Sequence, residues 1–446
     1  MARWQEYSLG VAPQCSGFGT PDTVDGDFKY LQCDKPKVQL LEDSQDFDLL
    51  TGQIGAASEK LWGRKHGTIS FSMPLEGLVQ GYTPSAIVNP GTTGVLPYWL
   101  AIVANSLGSM GAPASASEFW KGLSASCNEY TVAGVLSAIA TAITLDDATA
   151  SDKVHAGEMI ITAASATSGS VQFGFVKNKT GQVITLFEES GNTVNSAAAN
   201  VYGSGTAFIS VNHSAQLSMT MRYLGENVKA AYILEDCVCS GWKLTWESGA
   251  VPTIEFNFEV GNWSIDQTKG GLVIPDSFAR IPQIVGASNG RATIDGTATC
   301  GLTSTTIEYK TEVSFIKCHS ATQGVSGAVY RKPRFTVNAT IPWSSSDVVY
   351  DETGSVVAAG DHEWVSKMRR GVTTSIGCYV GSNVGRIMGF MVPAARVAAV
   401  PQLADVDGAL AYQLQFEAVA YTSDTSDTAE TPVNSPKNSL FRITLG

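Results

Sequence analysis

Charge is scarce in this sequence. Only 16% of its residues are Asp, Glu, Lys or Arg, and cations are the minority, 29 against 41 acids. A net charge of −12 argues against a protein that grips nucleic acid by neutralising phosphates, which needs grouped cations. The uncharged run Tyr130–Leu145 falls short of the ~20 residues that a membrane-crossing helix needs. Zinc chemistry lacks a Cys-x-x-Cys pair. Nucleotide chemistry lacks both a Walker A loop and a Gly-x-Gly-x-x-Gly after a strand. The five histidines, His66, His155, His213, His319 and His362, are scattered without ligand spacing. No metal and no cofactor is therefore expected.

Three weak signals have simpler readings. Gly286–Gly290, "GASNG", fits the Gly-x-Ser-x-Gly elbow of serine hydrolases. That elbow needs a helix after it, whereas "RATIDGTATC" follows and reads as strand or loop, so Ser288 sits in an ordinary glycine turn. "DVDG" at Asp405–Gly408 lacks the third acid and the terminal Glu of a calcium loop; it reads as a hairpin turn. The opening "MARWQEYSLG" contains no apolar leader, so the eight cysteines are expected to be mainly free thiols of a chain made in the cytosol. An enzyme is not expected.

Alternation is what the sequence does contain. In "TIEFNFEVGNW", residues 253–263, Ile254, Phe256, Phe258 and Val260 fall on one side of a strand and Glu255, Asn257 and Glu259 on the other. Glycine is frequent, at 44 residues, and long stretches rich in Thr, Ser, Val and Ala favour β structure. The pattern then recurs. "KHGTISFSM" (65–73) and "KPRFTVNATI" (332–341) each read as a strand followed by a long Gly, Pro and Ser-rich loop, 74–97 and 342–361. Each loop leads to a short helix with a tryptophan, Trp99 or Trp364, that stops at glycine, Gly108 or Gly371. Each copy closes with a strand, a turn and a strand. The second closing strand repeats the first, with Tyr412, Leu414 and Phe416 set against Gln413, Gln415 and Glu417.

The expected layout is a mainly β chain with two tandem β-sandwich units, each flanked by a short helix. Residues 1–37 read as an N-terminal arm, 38–139 with 216–265 as the first unit, and 140–215 as an inserted small β domain on the outer surface. Residues 266–300 read as a linker and 301–446 as the second unit.

Three stretches carry a family resemblance: "DLLTGQIGAASEKLWGRKHGTISFSMPLEG", "CVCSGWKLTWESGAVPTIEFNFEVGNW" and the closing hairpin of the second copy. In their order and spacing they resemble the major tail tube proteins of long-tailed, siphovirus-like bacteriophages. The resemblance covers most of the chain outside 140–215. It implies a structural virion protein of the tail tube, assembled in the host cytoplasm. Its rings stack into a conduit for genomic DNA, and sheets of neighbouring units join into one continuous β-barrel. Other tail proteins (tape measure, terminator and tail tip) are the expected partners. Glu255, Asn257, Glu259, Gln413, Gln415 and Glu417 are then expected to line the lumen, where double-stranded DNA passes without specific binding along an acidic or neutral wall. Loop residues Gly77, Gln80 and Tyr82, with Asp347, Tyr350 and Asp351, are expected to reach the adjacent ring. Two units per chain favour trimeric over hexameric rings. The competing reading is a surface-displayed β-sandwich adhesin or carbohydrate-binding protein, with Trp4, Trp62 and Trp120 as sugar platforms.

Overall fold

A computed structural model describes residues 7–14, 18–25, 28–47, 59–75, 98–107, 129–131, 142–144, 159–163, 172–180, 183–186, 200–203, 205–209, 218–225, 230–269, 273, 290–294, 297–298, 304–318, 324–342, 349–350, 356–358, 364–380, 388–406, 408–419 and 440–445. The fold is mainly β, and one large antiparallel sheet system dominates it without closing into a barrel.

The first half opens with β1 (Ser8–Pro13), β2 (Lys29–Tyr30), β3 (Lys37–Phe47) and β4 (Glu59–Pro74), followed by helix α1 (Tyr98–Leu107). Six short strands come next: β5 (Glu129–Thr131), β6 (Ala142–Thr144), β7 (Met159–Ala163), β8 (Gln172–Thr180), β9 (Val183–Leu186) and β10 (Asn200–Gly203). They form a sheet of their own in the order β5-β10-β7-β8-β9-β6. The main sheets resume with β11 (Gly205–Ile209), β12 (Met219–Leu224), β13 (Ala231–Glu247), β14 (Thr253–Val260) and β15 (Asn262–Asp266).

The second half runs β16 (Gly290–Ile294), β17 (Thr297–Ala298), β18 (Ser304–Lys317) and β19 (Val325–Pro342), then a two-stranded hairpin of β20 (Val349–Tyr350) and β21 (Val356–Ala358). Helix α2 (Trp364–Arg370) follows, then β22 (Thr373–Val380), β23 (Met388–Val397), β24 (Gln402–Val406), β25 (Ala409–Ala418) and β26 (Phe441–Leu445).

The strand pairings follow one order twice. β1 pairs with β2 and β12, and β12 with β13; β16 pairs with β17 and β22, and β22 with β23. β13 also takes β15, and β23 takes β26. In the first half β3, β4, β14 and β13 lie side by side. In the second half β18 and β19 are followed by β25, whose far border is shared by β23 and β24. Where the first half has the single long strand β13, the second has two, parted around Pro401, a residue with no N–H for a ladder. The turns match the residues that make them. Gly249 and Gly408 carry φ of 82° and 80°, and Gly371, with φ 63°, ends α2.

The two halves meet at a seam where β13 pairs with β18 from Gly241↔Lys310 to Glu247↔Ser304, and they meet again where β11 pairs with β26 from Gly205↔Leu445 to Ile209↔Phe441. Aromatic rings fill the β13–β18 seam. Trp242 lies 5.8 Å from Phe335 and 5.9 Å from Phe441, and Trp246 meets Phe390 edge-on at 4.8 Å. Both tryptophans come from the first half and all three phenylalanines from the second. Ile254, Phe256, Phe258 and Val260 are buried as their alternation requires, as are Phe335, Val337, Leu414 and Phe416, and all belong to one contiguous core.

The chain's beginning is tied into this body. Asp236, fully buried and in a left-handed conformation (φ 52°), accepts hydrogen bonds through Oδ1 from Gln14 Nε2 at 3.1 Å and the Gly19 amide at 2.8 Å. Burial raises its pKa, and those two hydrogen bonds partly offset the effect.

β13 carries a bulge at Cys239/Gly241, and at Gly241 it runs close to β18. A Cβ at Gly241 would stand 2.7 Å from the Tyr309 carbonyl oxygen, whereas one at Gly63 would meet nothing nearer than 3.4 Å. Gly241→Ala is therefore expected to lower the urea midpoint by an amount equivalent to about 1–3 kcal/mol, and Gly63→Ala to leave it nearly unchanged.

Candidate functional site

The polar faces of the two halves are one surface. Residues directly opposite on neighbouring strands share a face, and the registers run without a break through β3-β4-β14-β13-β18-β19-β25-β24. One row reads Ser72, Glu255, Lys243, Glu308, Thr336 and Glu417. A second reads Thr253, Thr245, Thr306, Asn338 and Gln415, and a third Glu247, Ser304, Thr340, Gln413 and Gln402. Glu255, Asn257, Gln413, Gln415 and Glu417 are exposed, and Glu259 is half-buried. All six residues singled out in the sequence therefore lie on the same side of one eight-stranded surface.

Hydroxyl and amide groups cross-link this face, with Ser304 Oγ donating to Thr340 Oγ1 and Asn338 Nδ2 to Thr306 Oγ1, both at 3.3 Å. It holds two hollows. One of about 600 Å³ is bordered by Ser70, Lys243, Asn257, Glu259 and Glu308. The other, about 360 Å³, is bordered by Thr306, Asn338, Gln402, Gln413 and Gln415.

The charge pattern is mixed, not acidic throughout. Lys243 stands opposite Glu255 on one side and Glu308 on the other, and Arg396 stands opposite Glu417. Lys37, Lys310 and Arg334 are exposed on the same side. The alternation of "STTIEYK" (304–310) held the signal for β18 and for its cations and acids. That stretch lies outside the duplicated strand, loop and helix pattern, so the repeat does not point to it.

The expected loop residues fare differently. Tyr350 belongs to strand β20, paired with β21, so 342–361 contains a small hairpin. Gly77, Gln80, Tyr82, Asp347 and Asp351 lie outside the described residues, as do Ser288, Trp4 and Trp120. The segment after Ser288 is strand β16, where a nucleophile elbow would have its helix. Gly408 donates its amide to Asp405 Oδ1 at 2.8 Å, which makes "DVDG" a turn. Among the described residues no group of three or more His, Cys, Asp or Glu could hold a metal ion. Five described cysteines, Cys33, Cys237, Cys239, Cys318 and Cys378, are free. No described helix is long and apolar enough to cross a membrane.

The chain matches no family profile, and no curated protein resembles it in sequence.

Burial raises the pKa of Glu259, and the nearby His66 works in the opposite direction. A raised carboxylate pKa means that ionised Glu259 costs stability in the folded chain. Below the ordinary value of about 4.3 the group is protonated in both states and the cost is absent; above the raised value it applies in full. Glu259→Gln is thus expected to raise the melting temperature at pH 7, with the gain over wild type shrinking towards pH 4. An equal gain at both pH values would rule out desolvation as its source.

Proposed function

We propose that this chain is the ring-forming subunit of a bacteriophage tail tube, a structural virion protein whose polar sheet face lines the conduit for genomic DNA. One observation carries the reading: the polar face spans eight strands, four from each half, and stops at two borders that no strand pairs among the described residues. A broad, polar, edge-to-edge surface of this kind suits a wall better than a binding pocket, and a closed ring leaves no open border. Three chains would bring ~24 strands, which at ~4.8 Å spacing and ~40° tilt close at a backbone diameter of roughly 48 Å. Side chains narrow that to about 38 Å, enough for a hydrated duplex. The ring is accordingly a trimer with pseudo-sixfold symmetry, stacked on its own kind and capped by other tail proteins.

The mixed charge suits passage. Cations set opposite acids are already compensated and hold few phosphates by counterion release. Genome passage should therefore depend on keeping Lys and Arg few and paired. Glu255→Lys with Glu259→Lys is expected to leave tubes intact in electron micrographs but to slow or stop DNA ejection; normal ejection would remove these residues from the lumen. Mass measurement of an isolated ring is expected to give three chains, and six would show that only one half of each chain lines the tube.

A further inference from the structure

The seam inside the chain joins the border of the first half, β13, to that of the second, β18. Two borders of the same kind have no partner strand among the described residues. β24 holds the place of β13 and pairs only with β25, and β3 holds the place of β18 and pairs only with β4. We infer that β24 of one copy pairs with β3 of a second copy of this chain, head to tail, in the register of the internal seam.

The registers fix the pairs. Pro74 faces Thr253 in the first half and Pro342 faces Ala411 in the second, which aligns the two central ladders. Counting outward, Lys243 and Gln402 occupy equivalent positions, opposite Glu255 and Gln413. Gln39 and Glu308 do likewise, opposite Thr68 and Thr336. Because Lys243 pairs with Glu308, Gln402 meets Gln39 of the second copy. Leu244 pairs with Ile307, so by the same count Leu403 meets Val38.

Two further observations support this joint. Leu244 and Ile307 are 2% and 1% exposed at the seam, whereas Leu403, at the free border, is 55% exposed, an apolar side chain left for a partner to cover. Pro36 and Pro401 fall at opposite ends of the paired window, Pro36 opposite Asp405 and Pro401 opposite Leu40. A proline cannot donate to a ladder and is tolerated where pairing ends, so both prolines are accommodated by antiparallel pairing of these two borders. The positions of Trp242 and Trp246 are taken by Pro401 and Asp405, so the joint between chains lacks the aromatic anchors of the internal seam and is the weaker of the two.

This inference deepens the tube reading but needs only the duplicated pairing order. The test is cross-linking of full-length chains with a short bismaleimide. Gln39→Cys with Gln402→Cys is expected to give a ladder of covalent oligomers, while a mixture of the two single variants stops at dimers, because a head-to-tail joint uses one of each border. Wild type and an offset pair, Lys35→Cys with Gln402→Cys, should stay largely uncross-linked. Assembled particles without the ladder, or equal linkage of the offset pair, would overturn the register and leave the tube reading standing. A ladder from particles that are not tubes would do the reverse. Should the cysteines themselves block assembly, charge variants replace them. Gln39→Glu with Gln402→Lys, which recreates the seam's Lys243–Glu308 pair, should assemble as wild type, and Gln39→Glu with Gln402→Glu should need a several-fold higher concentration. Equal assembly of the two would also overturn the inference.

Discussion

A β-strand leaves half of its backbone donors and acceptors for the neighbour on each side, and that requirement organises this molecule. Inside the eight-stranded face it is met six times over by strands that each have two partners. At the outer borders of β3 and β24 it is met by no described strand. Exposed sheet borders invite uncontrolled pairing unless they are short or blunted. Here β24 has five residues, and prolines flank the usable stretch of both borders. The arrangement limits how a border can be paired without preventing pairing, which distinguishes a joint from a protected edge.

The internal seam shows what a full joint of this kind looks like. Its backbone ladder is covered by Trp242 and Trp246 reaching across to Phe335, Phe390 and Phe441, and aromatic contacts of this type add about 0.5–1.5 kcal/mol each beyond the area they bury. Fusing the halves also makes the seam intramolecular, at a high effective concentration. In the proposed ring three joints of six are already made within the chains, so three losses of translational and rotational freedom are avoided. The weaker chemistry at Leu403 and Val38 then falls where reversibility is useful, since a ring that closes through modest contacts can correct a wrongly docked subunit.

Period-two alternation made much of this legible in the sequence. "TIEFNFEV" and "AYQLQFEA" announced their buried and polar faces, and the structure places both sets on those faces. Tryptophan followed by glycine located α1 and α2, and the turns fell at Gly249 and Gly408. What stayed hidden was long-range. That β13 pairs with β18 depends on which strands lie side by side, and alternation within one strand says nothing about its neighbour. The same limit concealed the bonds from Gln14 and Gly19 to Asp236, more than two hundred residues away. It also concealed the strands β1, β2, β16 and β17, whose short segments show little period of their own and take their conformation from partners.

The electrostatics of the polar face follow from the same pairing. A carboxylate row alone would repel a duplex, but it would also repel itself, because like charges directly opposite on adjacent strands destabilise a sheet. Lys243 between Glu255 and Glu308 removes that strain within the row, and Arg396 does so for Glu417. These two cations are thereby compensated and poorly available to phosphate. Lys37, opposite Ser70, and Lys310, opposite Arg334, are not set against an acid; Lys310 lies where β18 bulges, at the end of the face. Sheet stability and a non-adhesive surface thus call for the same pattern: mixed charge, alternating from strand to strand, with serine, threonine, asparagine and glutamine filling the rows between.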